Sequence, residues 1–213
     1  MDSISKTLFD LNKTDHFDQV FENLDCSSKT IQNKLFEKCE FKRCNFDKAS
    51  LLNCRFVDCE FAHCALNTTI ITNSAFSDVV FDNSKMMGIN WPPAKWPQIR
   101  LSGLISFYSC NISHSNFFGM NLSEVNIQDC KAIDADFREA DLSRSNLTNT
   151  DFHQSLFIRT KLTEADFSGA INYSIDMTLN DVKKATFTFP DCINLLQHFE
   201  IQINGLPGAC SQD

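Results

Sequence analysis

Large apolar residues recur at every fifth position along most of the chain, and this period dominates its hydrophobic pattern. One run keeps a single phase from Phe36 to Leu101. The phase then slips by one residue, and a second run extends from Phe107 to Phe167. The two runs comprise Phe36, Phe41, Phe46, Leu51, Phe56, Phe61, Leu66, Ile71, Phe76, Phe81, Met86, Trp91, Trp96 and Leu101, then Phe107, Ile112, Phe117, Leu122, Ile127, Ala132, Phe137, Leu142, Leu147, Phe152, Phe157, Leu162 and Phe167.

A second class of residue precedes most of these centres by two positions and is usually small. Its members include Cys39, Cys44, Ala49, Cys54, Cys59, Cys64, Cys110, Ser115, Cys130, Ala135, Ala140, Ser145, Ser155 and Ala165. A period of five matches neither the 3.6 residues of a helix nor the two of a strand, so the chain must turn every five residues. Four such segments make a square coil, and successive coils stack about 4.8 Å apart. The pattern therefore predicts an all-β solenoid with one core.

Three segments carry a resemblance to a known family. Residues 135–139, 140–144 and 165–169 read ADFRE, ADLSR and ADFSG, which resembles the A(D/N)LXX signature of the pentapeptide-repeat proteins. The resemblance covers residues 36–172 and implies a right-handed quadrilateral β-helix. One branch of that family protects bacterial type II topoisomerases from quinolones or peptide toxins by imitating the shape and charge of duplex DNA.

The two ends depart from the clean repeat. In residues 1–35, Phe21, Cys26 and Ile31 keep the phase and predict an imperfect first coil that covers the N-terminal end of the stack. Residues 173–213 predict a short helical cap. Thr178 and Asp181 fit a capping box that opens a first helical turn, and Pro190 fits the first turn of a second helix.

The predicted cap has an apolar stripe that resembles the C-terminal module through which topoisomerase-protecting relatives form dimers. Its residues are Cys192, Ile193, Leu195, Leu196 and Phe199, followed by a strand-like alternation of Ile201 and Ile203. The resemblance implies a homodimer through Ile193, Leu195, Leu196, Phe199 and Ile201. The alternative is a cap that packs only on its own last coil.

Residues 88–106 predict an interruption of the coil, because three prolines within six residues remove backbone donors. Loops that leave the β-helix contact the enzyme in topoisomerase-protecting relatives. The resemblance therefore implies a partner contact through Trp91, Lys95 and Trp96. Alternatively, the two tryptophans hold interior positions, as their phase predicts.

Charge and composition narrow the functional classes. The 213 residues carry a net charge of −8, which argues against a surface that binds nucleic acid and favours a basic partner. The sequence shows no export signal and no apolar run of about 18 residues, so we expect a cytoplasmic protein without a membrane anchor. A membrane-associated effector is disfavoured by the same features.

Candidate chemistry is sparse. The chain has ten cysteines, and the group that could suggest a zinc site comprises Cys39, Cys44, Cys54, Cys59 and Cys64. Their gaps are multiples of five rather than the short gaps of a zinc site, so they predict small inward residues instead of metal ligands. His63 is adjacent to Cys64 but falls at an outward position. The sequence contains no Gly-rich phosphate loop, and a convex prism offers no cleft for a nucleophile and a base. We therefore expect no enzyme, no cofactor and no metal.

The acidic surplus is the remaining functional signal. Residues 107–176 contain ten Asp or Glu against five Lys or Arg. Two chains joined end to end would form a rod of roughly 65 Å, about the length of 20 base pairs. These features and the resemblance favour a DNA-mimicking binder of DNA gyrase or topoisomerase IV, with Asp129, Glu164 and Asp166 facing basic side chains. The alternative is a non-enzymatic scaffold that binds another protein.

Overall fold

The corners of the coil explain why the chain turns every five residues. The residue two positions after most inward centres has a left-handed backbone, as at Asn53 with φ of 53° and Asp58 with φ of 50°. Asn and Asp tolerate this conformation better than other non-glycine residues. The computed structural model describes residues 13–97, 104–199 and 201, and these residues form a right-handed quadrilateral β-helix of about eight turns.

Short parallel strands make up the walls. They are β1 (Asp15–Phe17), β2 (Val20–Glu22), β3 (Thr30–Gln32), β4 (Leu35–Glu37), β5 (Glu40–Lys42), β6 (Ser50–Leu52), β7 (Arg55–Val57), β8 (Glu60–Ala62), β9 (Ala75–Ser77), β10 (Val79–Asp82), β11 (Ile105–Tyr108), β12 (Asn126–Gln128), β13 (Asp166–Phe167) and β14 (Thr186–Phe187). Isolated parallel bridges continue the ladders between them.

The pairing register shows where the repeat changes. Phe61 pairs with Phe81, 20 positions later, whereas Phe81 pairs with Phe107, 26 positions later. Six residues are therefore added between these coils. Lys95 still pairs with Ala75, so the addition follows Trp96 and precedes Leu104. Six residues equal one five-residue segment plus one further residue, so the hydrophobic phase shifts by one position.

The interior consists of stacked side chains from successive coils. The rings of Phe41 and Phe61 are stacked with centroids 4.5 Å apart, and Phe117 and Phe137 stack at 5.0 Å. Rings stack along one wall, whereas rings that belong to different walls meet edge to face, as Phe137 and Phe152 do. Offset and edge-to-face contacts are the favourable arrangements of aromatic pairs. The predicted single core is confirmed.

The small inward residues have a hydrogen-bonding role besides their small volume. The Cys64 thiol donates to the carbonyl of Phe41 at 3.2 Å, and the N–H of Cys44 donates to the Cys64 sulfur at 3.4 Å. Ser84 repeats this pattern one coil later, accepting from the N–H of Cys64 at 2.9 Å. A side chain in this layer thus completes the backbone ladder where two coils do not pair directly.

This role predicts a difference between two substitutions of Cys64. We expect Cys64→Ser to keep both hydrogen bonds and to melt close to the wild type. Cys64→Ala leaves the buried N–H of Cys44 without its acceptor, which costs about 1–3 kcal/mol. Urea unfolding of both variants measures the difference. Equal stability of the two variants would contradict the hydrogen-bonding role of the thiol.

The structure describes the N-terminal segment from residue 13 onward. Phe21, Cys26 and Ile31 are buried in the first coil, and β1 and β2 extend the ladders to residue 15. His16 continues the interior column above Phe36, with its ring stacked at 4.9 Å. Residues 1–12 lie outside the described residues.

The C-terminal prediction needs correction, because the β-helix continues beyond residue 172. β13 pairs with β14, which joins Phe167 to Phe187. Tyr173 and Ile175 fill the interior although they break the spacing of five. The Asn180 side chain accepts the N–H of Thr160 at 2.9 Å and donates to the carbonyl of Phe157 at 2.9 Å. A side chain therefore bridges two coils where the repeat is irregular.

The capping box at Thr178 is wrong. The N–H and the hydroxyl of Thr178 both donate to a carboxylate oxygen of Asp176, at 2.7 and 2.6 Å, which closes a turn without a helix. Asp181 lies in the ladder, paired with Lys161. The helical part of the predicted cap is a short 3₁₀ helix from Asp191 to Leu196, preceded by Pro190.

Candidate partner-binding surfaces

The four walls of the described β-helix present different outward side chains. We number them in chain order. Face 1 contains β1, β4, β7 and β9, and face 2 contains β2, β5, β8, β10 to β12, β13 and β14. Face 3 consists of bridges from residue 25 to residue 171, and face 4 begins with β3 and β6. Face 2 keeps its parallel pairing from Val20 to Thr186, so it forms an uninterrupted wall.

Face 2 and its two corners carry more acidic than basic side chains. The acidic residues are Asp18, Glu22, Glu40, Asp58, Glu60, Asp78, Asp82, Glu124, Asp129, Glu164 and Asp166. The basic residues are Lys38, Lys42, Arg43, Arg144 and Lys184. The predicted contacts Asp129, Glu164 and Asp166 all fall on this surface. The pairing register between coils therefore places these three residues on one surface, although their spacing in the sequence assigns them to separate columns.

Ion pairs neutralise part of this surface. Arg144 lies 2.7 Å from Glu124, and Lys184 lies 3.2 Å from Glu164. Arg43 pairs with Glu22 in the same way. These pairs join residues about one coil apart, because the repeat places them directly above each other. Glu164 is therefore a weaker candidate for an intermolecular contact than its sequence position implied.

A cluster of carboxylates near the middle of the rod forms no direct ion pair, although Lys38 lies one coil before Asp58 and Lys42 interacts electrostatically with Glu60. Asp58, Glu60, Asp78 and Asp82 form no ion pair with a basic side chain in the described part of the chain. We call these four residues the acidic patch. The N–H of Asp58 donates to the carbonyl of Ser77 at 3.0 Å, so Asp58 and Asp78 occupy adjacent coils. The sequence placed the acidic surplus in the second half, but the least neutralised acidic surface lies in the first.

The region around the prolines is more regular than the sequence indicated. Trp91 is 1% exposed and stacks on Phe117 at 5.9 Å. A ring inside the column cannot touch a partner, so the assignment of Trp91 as a contact residue is corrected. Trp96 is half-buried, and its indole N–H donates to the carbonyl of Trp91 at 3.1 Å. Lys95 is exposed on face 1, and Leu101 lies outside the described residues.

The predicted dimerisation residues divide into two groups. Leu195 is 7% exposed and belongs to the core of its own chain, so it supports the cap rather than a partner contact. Ile193 and Leu196 are half-buried. Phe199 and Ile201 are 38% and 56% exposed and remain available to a second chain. Ile203 lies outside the described residues.

Most of the described cysteines lie buried in the inward layer, whereas Cys192 lies on the 3₁₀ helix, and the described residues form no cluster that could hold a metal ion. Burial raises the pKa of the Cys110 thiol to about 11 and that of Cys130 to about 12. These thiols are therefore protonated at neutral pH and act as donors to backbone carbonyls. His63 is exposed at a corner, as predicted.

Among the residues that the structure covers, no helix has the length and apolar character of a membrane span.

Comparisons with known proteins agree with the fold. The family model described as the pentapeptide repeat region matches residues 29–104 and 93–167. No curated protein sequence matches the chain. A trypsin-treated variant of QnrB1, a plasmid-mediated fluoroquinolone resistance protein, superposes with a TM-score of 0.52. It is 18% identical, and the match covers 89% of this chain and 97% of QnrB1.

A second solved structure is HetL, a pentapeptide repeat protein involved in heterocyst differentiation regulation in the cyanobacterium Nostoc. It is 12% identical, with a TM-score of 0.47, and the match covers 79% of this chain and 87% of HetL. The 18% identity to QnrB1 shows a shared fold alone. The choice between functions therefore depends on the surfaces of this chain.

Proposed function

The chain belongs to the pentapeptide-repeat family, and from that premise we propose that it binds a bacterial type II topoisomerase, DNA gyrase or topoisomerase IV, on the surface that holds DNA. Bound there, it would protect the enzyme from quinolones or peptide toxins that act on the DNA-bound state. The observation that carries this proposal is the acidic patch on the unbroken wall of face 2.

The charge argument starts from the neighbouring coils. Elsewhere on the rod, carboxylates such as Glu124 and Glu139 pair with arginines of the next coil. Asp58 and Asp78 instead place two carboxylates in adjacent coils, and neither forms an ion pair with a described basic side chain, although Lys38 occupies the same column one coil before Asp58. Like charges this close repel each other, and a basic partner relieves that repulsion. A surface that holds DNA supplies such basic side chains.

The dimensions also fit a DNA-binding surface. About eight turns at about 4.8 Å per turn give a rod of about 38 Å. Two rods joined at their C-terminal ends would span about 76 Å, comparable with about 22 base pairs at 3.4 Å per step. In this arrangement Asp129 and Asp166 extend the acidic contact along face 2, and Lys95 and Trp96 contribute a side contact from face 1.

The proposal is tested by competition for gyrase. A fluorescent duplex bound to purified gyrase is titrated with the protein at increasing salt. We expect displacement of the duplex, with weaker competition at high salt because charged contacts are screened. Absence of displacement at any salt concentration would instead favour a scaffold that binds another protein.

The C-terminal dimer makes a separate prediction. Phe199→Glu places a charge on an exposed apolar side chain, so we expect the dimer to dissociate while the β-helix remains folded. Light scattering measures the mass, and circular dichroism checks the fold. Leu195→Ala is the matched control, because it should lower stability by about 2–5 kcal/mol and leave the association of the folded chains unchanged. A monomeric wild type would contradict the proposed dimer.

A further inference from the structure

A groove of about 430 Å³ opens on face 1, beside Trp96 and Leu104. Ala75 and Phe76 line it, together with Trp96, Pro97 and Leu104. The ladder of face 1 is interrupted here, since Lys95 pairs with Ala75 but with no later coil in the described chain. The groove is thus a consequence of the insertion. Its volume lies in the range of about 300–1,000 Å³ that is typical of ligand pockets.

The shape of the groove follows from one column of face 1. Arg55, Ala75 and Lys95 occupy equivalent positions in three successive coils. A methyl group between two long side chains leaves a depression about one coil high. Val57, Ser77 and Pro97 also line the groove, and Val57 and Pro97 add apolar surface on either side of the Ser77 hydroxyl. An apolar side chain of a partner would therefore be buried here.

Two basic side chains at the edge of the groove form no ion pair with a described carboxylate. Arg55 and Lys95 are exposed, and neither forms an ion pair with any described residue. The other arginines Arg43 and Arg144 do pair with acids of the preceding coil. Arg55 forms no such pair, and its neighbours in the ladder are the uncharged Leu35 and Ala75. Its charge remains available to a ligand.

We infer that this groove receives a segment of a protein partner in which an apolar side chain stands next to acidic residues. The apolar side chain would lie over Ala75 against Trp96, and the carboxylates would pair with Arg55 and Lys95. Asp58 and Asp78, on the corner beyond Val57, would repel carboxylates and so fix the direction of the segment. The groove thus binds the opposite charge to face 2. The side contact that the proposed function assigns to Lys95 and Trp96 is the binding of this segment, whichever partner supplies it.

The probe is the peptide acetyl-Glu-Phe-Asp-amide, titrated into the isotopically labelled full chain and followed by two-dimensional NMR. We expect saturable shifts confined to the backbone amides of 55–57, 75–77 and 95–96. Lys95→Glu and Arg55→Glu should each weaken binding about tenfold or more. Ala75→Phe fills the groove and should abolish binding. The assay contains no topoisomerase, so its outcome is independent of the proposed function.

Two controls distinguish a built site from a general charge effect. Lys85→Glu makes the same charge change on face 3, the opposite wall, and should bind the peptide like the wild type. The peptide acetyl-Lys-Phe-Lys-amide should give no saturable shifts. Unchanged affinity in both Lys95→Glu and Arg55→Glu, equal weakening by Lys85→Glu, or the absence of saturable binding to the wild type would overturn the inference.

Discussion

Replacing Phe137 by Ala is expected to lower the free energy of unfolding by about 3–5 kcal/mol. Phe137 is 0% exposed and stacks between Phe117 and Phe157, with centroids at 5.0 and 5.3 Å, while Phe152 meets it edge to face. The substitution removes buried ring contacts from three coils. Since a domain is stable by only about 5–15 kcal/mol, the loss is a large share of the total.

Phe118 supplies a matched control in the next position after Phe117. It is 42% exposed and points outward beside Arg138. Phe118→Ala should therefore cost less than about 1 kcal/mol. Urea unfolding followed by circular dichroism compares the two variants. A similar loss in both would mean that the stacked interior does not dominate stability.

Charge reversal of the acidic patch should have the largest effect on partner binding. In the variant with Asp58→Lys, Glu60→Lys and Asp78→Lys, each substitution replaces attraction for a basic surface by repulsion. If each change costs about 1 kcal/mol, affinity for gyrase falls by about 100-fold or more. All three side chains are exposed, so the fold should be retained. The duplex-displacement assay on gyrase measures the change.

The control changes net charge by the same amount on other walls. Asp134→Lys, Glu139→Lys and Asp181→Lys alter exposed residues away from face 2. We expect this variant to compete nearly as well as the wild type. If both triple variants lose affinity equally, overall charge rather than the acidic patch determines binding.

The sequence predicts the repeating parts of this fold well because each segment has the same environment. From Cys39 to Phe167, the described residues of both inward classes are buried as expected, except for the half-buried Trp96. The 26-residue step between Phe81 and Phe107 is visible in the sequence only as a slip of one position, because five of the six added residues keep the phase. The five-residue period does not predict the roles of Tyr173 and Asn180, because these residues pack and hydrogen-bond between coils at positions outside it.

The surfaces are harder to predict, because they depend on the register between coils. Trp91 and Trp96 share one phase, yet only Trp91 is fully enclosed. The insertion interrupts the wall beside Trp96 and leaves it half-buried. Likewise, Glu164 is neutralised by Lys184, whereas Asp58 is not. Arranging the chain in coils of 20 before the insertion, and adding six positions afterwards, would have identified these neighbours.

Supercoiling by purified DNA gyrase under a titrated quinolone tests the central claim most directly. We expect the wild-type protein to restore supercoiling at concentrations up to equimolar with gyrase, and the triple variant of the acidic patch to fail. Inhibition of supercoiling without rescue would retain gyrase binding but contradict protection. No effect of the wild-type protein at any concentration would contradict the proposal that it binds the topoisomerase in place of DNA.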